Sequence, residues 1–132
     1  MTRLPTIFLL ALLTAAGSGL AMPALAPGSD LVFHLQLDRS YPAADTTLTS
    51  PAEIRLWFSQ VPQASATSLR LIHDGAPVES VGDLKPDPED ASVFAGPVVG
   101  TLADGDYTVS WRTMAADGHV VRGDFSFTVK AP

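Results

Sequence analysis

The sequence predicts an all-β fold: an antiparallel Greek-key β-sandwich or small barrel. Two long stretches near the C-terminus alternate apolar and polar residues with period two, with Tyr107, Val109 and Trp111 on one side of the first and Phe125, Phe127 and Val129 on one side of the second. That is the pattern of strands with one buried face. Turn residues divide the chain before them into further short stretches, about seven strands in all. No stretch beyond the N-terminal leader sustains helical periodicity, which leaves sheet-on-sheet packing as the way to bury a core.

The elements follow in order. Arg3 is the only charged residue before Asp30, and it precedes an apolar run from Ile7 to Leu13 and then small residues through Ala26. This is a secretory signal pattern. A membrane-spanning helix needs about 20 unbroken apolar residues, and Gly17, Gly19 and Pro23 break this run. The expected signal peptide is residues 1–21, cut after Gly19-Leu20-Ala21. A cut after Ala26 is the later alternative, but Pro27 would follow it. Residues 22–33 read as an irregular arm and residues 34–132 as the folded domain.

Within that domain, residues 34–40 read as an edge strand closed by Tyr41-Pro42. Residues 43–51 read as turns, and 53–58 as a strictly alternating strand with Ile54, Leu56 and Phe58 on one side. Residues 68–73 form a further strand, Asp74-Gly75 a favoured hairpin turn, and 77–81 the return. Residues 83–90 are a charged, proline-broken loop, followed by short strand candidates at 92–95 and 98–99. Leu102-x-x-Gly105-x-Tyr107 matches the tyrosine corner of Greek-key sandwiches, in which a tyrosine hydroxyl ties down the chain as it crosses between sheets.

The chain has 132 residues, no cysteine and a formal net charge of -6. The exported part, about 110 residues, suits one small domain. Without cysteine that domain has no disulfide and no thiolate metal site. The acidic balance argues against nucleic acid as a partner and is compatible with cations.

The insert between the last two strands holds Asp117-Gly118-His119. An imidazole nitrogen and a carboxylate oxygen together suit Cu(II) or Zn(II) better than Mg(II) or Ca(II). Two ligands do not complete a site, and Asp-Gly followed by a solvated histidine is also an ordinary turn. A further ligand would have to come from His34, at the start of the first strand, or from His73, whose default place is a solvated turn. Asp87, Glu89 and Asp90 lack the spacing of a calcium loop. No Gly-x-Ser-x-Gly elbow is present, and no enzymatic reaction is expected.

Residues 34–130 resemble the CopC family of periplasmic copper-binding proteins. His34-x-x-Leu37-x-x-Ser40-x-Pro42-Ala43 looks like the family's opening strand. Glu53-Ile-Arg-Leu-Trp-Phe-Ser59 looks like its second. Residues 107–129 look like its closing hairpin, with Trp111-Arg112, Asp117-x-His119 and Phe125-x-Phe127 at the family's offsets. The resemblance implies an immunoglobulin-like or cupredoxin-like β-domain. It also implies Cu(II) held by His34 (its ring and, if the chain starts there, its α-amine), Asp117 and His119, a set that suits Cu(II). It implies a monomer that buffers copper or passes it to a membrane partner such as an inner-membrane transporter of the CopD type.

This sequence departs from the family pattern in three places. Met114 is the only methionine within the domain, so a Cu(I) thioether site is not expected. Gln60 stands where members often carry an acid. A start at Met22 would leave His34 without a free amine, which implies either weaker Cu(II) binding or later trimming to His34. The alternative to copper binding is an exported immunoglobulin-like interaction module without a metal.

Overall fold

The computed structural model describes residues 34–132. The expected signal peptide, 1–21, and arm, 22–33, lie outside the described residues. Nine strands form two sheets: β1 (Leu37–Tyr41), β2 (Thr47–Leu48), β3 (Glu53–Phe58), β4 (Ser68–His73), β5 (Ala76–Val78), β6 (Lys85–Pro86), β7 (Val93–Pro97), β8 (Gly105–Met114) and β9 (Val120–Val129). The smaller sheet has the order β1-β3-β7-β6 and the larger β2-β9-β8-β4-β5. One 3-10 turn, Ala64–Ala66, precedes β4.

Side-chain alternation decides which face of each strand is buried. On β3, Ile54, Leu56 and Phe58 are buried while Glu53, Arg55 and Trp57 are half-buried on the outer face. On β8, Tyr107, Val109, Trp111 and Thr113 point inward. Phe58 bridges the two sheets, edge-on to Phe94 at 6.0 Å and to Trp111 at 5.5 Å between ring centroids. Each large apolar side chain so buried contributes about 2 kcal/mol, which lets a domain without disulfides hold together.

The longest ladder is β8 with β9, from Gly105 opposite Val129 to Met114 opposite Val120. Trp111 lies across from Gly123, where a Cβ would sit only 2.7 Å from the indole Cζ2. Glycine is therefore what lets the indole lie flat on β9. At the other end of β8, the buried Tyr107 hydroxyl donates to the Ala103 carbonyl at 2.8 Å. This is the expected tyrosine corner. Burial is the main cause that raises the phenol's pKa, so the hydroxyl keeps the proton it donates.

Several expectations change. The stretch read as a charged loop, 83–90, contains β6, which pairs with β7, and the return strand is Ala76–Val78 rather than 77–81. The first strand begins at Leu37 rather than at residue 34. The sandwich is not wholly antiparallel: β2, in the region read as turns, runs parallel to the end of β9, pairing Thr47 with Thr128 and Leu48 with Val129. A strand of two residues has no period to detect, and its partner lies far along the chain. Candidates 92–95 and 98–99 resolve into one strand, β7, with Val98 in an isolated bridge to Val81. The hairpin at Asp74-Gly75 stands as expected, with φ of +50° and +75°.

Gly123→Ala should lower stability by roughly 1–3 kcal/mol through overpacking against Trp111. Tyr107→Phe should lower it by about 1–2 kcal/mol by leaving the Ala103 carbonyl without its donor. Urea midpoints at constant m-value measure both.

Candidate metal site

The loop joining β8 to β9 is fixed from below. Ala115 is buried, its N–H donates to the His119 carbonyl at 2.9 Å, and its own carbonyl accepts the Gly118 N–H at 2.9 Å. Gly118 has a φ of +89° with open space around it, so the backbone conformation, not crowding, favours glycine there. The Gln63 amide donates to the same Ala115 carbonyl at 2.9 Å, and the Gln63 N–H donates to the Met114 carbonyl at 2.8 Å. Beneath them the hydroxyls of Thr67 and buried Thr113 are 2.6 Å apart. The stem of the loop is thus tied to the segment before β4.

On this stem Asp117 and His119 face each other. One Asp117 oxygen accepts the His119 backbone N–H at 3.0 Å, and the other lies 2.8 Å from His119 Nδ1. The backbone N–H of His119, and then its ring, hold the Asp117 carboxyl below the usual carboxylate range. With the Nδ1 proton directed at Asp117, the Nε2 lone pair of His119 is left for a ligand. The two side chains are 59% and 78% exposed, so neither is sterically locked.

His34 reaches the same place from the other sheet. It is exposed and precedes β1, but its neighbours are anchored. Leu35 is buried in the core, the Gln36 N–H donates to the Ser59 hydroxyl at 3.0 Å, and the Ser59 N–H donates to the Gln36 carbonyl at 2.9 Å. One depression of about 170 Å³ is lined by His34, Gln60, Ala115, Asp117, His119 and Val121. The three predicted ligands therefore share one cavity. Among the described residues they do not form a group of three close enough to hold a metal ion.

His73 stands apart from this cavity. It is half-buried rather than solvated, stacked on Tyr107 at 4.3 Å between ring centroids, with Nδ1 2.9 Å from the Asp106 carbonyl. The acidic loop is also accounted for locally. Asp87 takes Arg55 at 3.2 Å and the Glu89 N–H at 2.9 Å, and Asp90 accepts the Ser92 N–H and hydroxyl. The residue that sequence reasoning missed is Gln63. It sits in a loop with no periodicity, and nothing in the sequence announces a bond to Ala115 across the fold.

The donors present, imidazole nitrogens and one carboxylate, fit a borderline cation such as Cu(II) or Zn(II). Residues 37–130 match the family model described as the CopC domain. The chain is 31% identical over 100 residues to Protein YobA of Escherichia coli K12, covering 74% of this chain and 79% of that protein. It is 29% identical over 104 residues to Copper resistance protein C of Escherichia coli, covering 74% and 82%. Among solved structures, CopC from Methylosinus trichosporium OB3b aligns with a TM-score of 0.65 at 26% identity, over 74% of this chain and 94% of that one. PcoC, a methionine-rich copper resistance protein from Escherichia coli, aligns with a TM-score of 0.65 at 28% identity, over 74% and 99%.

Because the Asp117 pKa is depressed by folding, its contribution to loop order is complete above the unfolded carboxylate pKa of about 3.9. It is lost as pH falls through the lower folded value. Amide exchange at the His119 N–H should therefore stay protected to about pH 4 and rise below it. Asp117→Asn should remove that acid-dependent step.

Proposed function

The chain belongs to the CopC family, and on that premise we propose that it is a periplasmic Cu(II)-binding protein that buffers copper or delivers it. Its ligands in this reading are His34, Asp117 and His119. The observation that carries the proposal is the single depression lined by all three, although they come from opposite sheets. Two imidazoles and a carboxylate make an N,O set of the kind Cu(II) favours. The three donors do not stand close enough together to hold a metal as they are, and closing on one requires their exposed side chains to move toward each other.

The His34 α-amine is a fourth donor if export and trimming start the chain at that residue. If the chain starts at Met22, the backbone nitrogen of His34 is an amide and binding is weaker. The leader, residues 1–21, supports export to the periplasm. The relatives named copper resistance protein C support a role in copper resistance or homeostasis. The receiving partner is an inner-membrane transporter of the CopD type, and the protein acts as a monomer. No catalytic role belongs to this reading.

Copper titration of the chain starting at Met22, and of one starting at His34, tests it. One equivalent of Cu(II) should give a d–d absorption band and a thermal shift, with tighter binding in the chain that starts at His34. His119→Ala and His34→Ala should each weaken binding at least as much as the loss of an outer-shell partner, about 10–100-fold. His73→Ala should leave it unchanged. Binding should weaken toward acid, because imidazoles must shed protons to ligate. Tight one-to-one binding that survives removal of both His34 and His119 would remove this ligand set.

A further inference from the structure

The outer face of the larger sheet carries a second constellation. Strands β4, β8 and β9 lie side by side, and alternation places Arg70, Arg112 and Arg122 on that face. The register sets Arg112 directly opposite Arg122, with Ser68 on its other flank, and sets Ser110 opposite Arg70 in the next row. These five residues line a groove of about 230 Å³.

The cluster takes three of the chain's eight lysines and arginines, in a chain of net charge -6. Like charges directly opposite on neighbouring strands destabilise a sheet, and so acidic a chain has carboxylates enough to neutralise them. Yet among the described residues none of the three guanidiniums joins an ion pair or a side-chain hydrogen bond. Asp124, two residues after Arg122 and opposite Ser110, pairs with none of them, and neither does Glu79, just past β5. Arg55, on the smaller sheet, is by contrast held by Glu53 at 2.9 Å and Asp87 at 3.2 Å. Asp124 stands on the same outer face, in the row of Ser110 and Arg70, but leaves the three guanidiniums unpaired.

We propose that this groove is an oxyanion site that takes a phosphate-class group, free or carried on a small molecule. Guanidinium forks bind paired oxygens, and serine hydroxyls can serve a further one. Three forks approaching from three strands suit a tetrahedral anion with oxygens in several directions. The net negative charge disfavours a polyanion or an anionic membrane at long range, while a compact anion meets the arginines at short range, where the remaining charges are screened. The site is separate from the copper ligands and does not depend on them.

The test is thermal unfolding and calorimetry with inorganic phosphate against chloride at matched ionic strength. The proteins are the wild-type exported chain, Arg112→Gln, Arg122→Gln, their double variant, and Arg39→Gln as a control on the other sheet. The Arg112 and Arg122 variants should fold, since neither side chain holds a partner within the chain. Phosphate at ten times its dissociation constant should raise the wild-type folding constant about tenfold, and the midpoint by several degrees. Arg39→Gln should respond like the wild type, and the double variant should not respond. Equal responses to phosphate and chloride, or an undiminished response in the double variant, would overturn the proposal. Co-sedimentation with phosphatidylglycerol vesicles that needs these arginines, without any response to free phosphate, would also overturn it, in favour of a lipid surface. Cu(II) titration of the double variant should match the wild type, which keeps this result distinct from the metal reading.

Discussion

The β8–β9 ladder is the constraint on which the rest of the molecule depends. It runs unbroken from Gly105 opposite Val129 to Met114 opposite Val120. Every other part of the larger sheet is added to it: β4 on the free edge of β8, β5 beyond β4, and β2 on the free edge of β9. Because side-chain direction alternates without a break along such a ladder, one register fixes several things together. It puts Tyr107, Val109, Trp111 and Phe127 into the core, sends the arginines outward, and brings the Asp117 loop to the end of the hairpin. A slip by one residue would exchange all of these at once.

The candidate metal site sits where that hairpin meets the other sheet. Each side contributes a chemically incomplete piece. The hairpin gives a carboxylate and an imidazole already hydrogen-bonded to each other, and the segment before β1 gives a lone exposed imidazole. The supports are tied to the frame: Leu35 is buried in the core, Gln36 is hydrogen-bonded to Ser59, and Gln63 to Ala115. The depressed Asp117 pKa belongs to the same arrangement, because it comes first from the His119 backbone N–H and then from its ring.

Charge is divided unevenly between the two sheets. On the smaller sheet the two arginines are stacked or paired: Arg39 lies 4.1 Å over the Trp57 ring, and Arg55 is held by two carboxylates. On the larger sheet Arg70, Arg112 and Arg122 have no such partners among the described residues. Asp124 shares their outer face and the row of Ser110 and Arg70, yet it forms no ion pair with any of the three.

Much of this was legible in the sequence. Period-two alternation gave the buried faces of β3, β8 and β9, Asp74-Gly75 gave the hairpin, and Leu102-x-x-Gly105-x-Tyr107 gave the corner. These signals are local: each rests on residues within one turn or one strand. They also gave a carboxylate and an imidazole two residues apart in a turn, Asp117 and His119, since residue type and turn propensity travel with the chain. The sequence did not give the parallel β2–β9 pairing, the Gln63 strap, the stacking of His73 on Tyr107 or the alignment of three arginines from three strands. Each of those joins residues far apart in sequence, and only the registers between strands decide them. The same holds for His34: the chain supplies the imidazole, but its place in one cavity with Asp117 and His119 exists only because Leu35 is buried and the two sheets pack face to face.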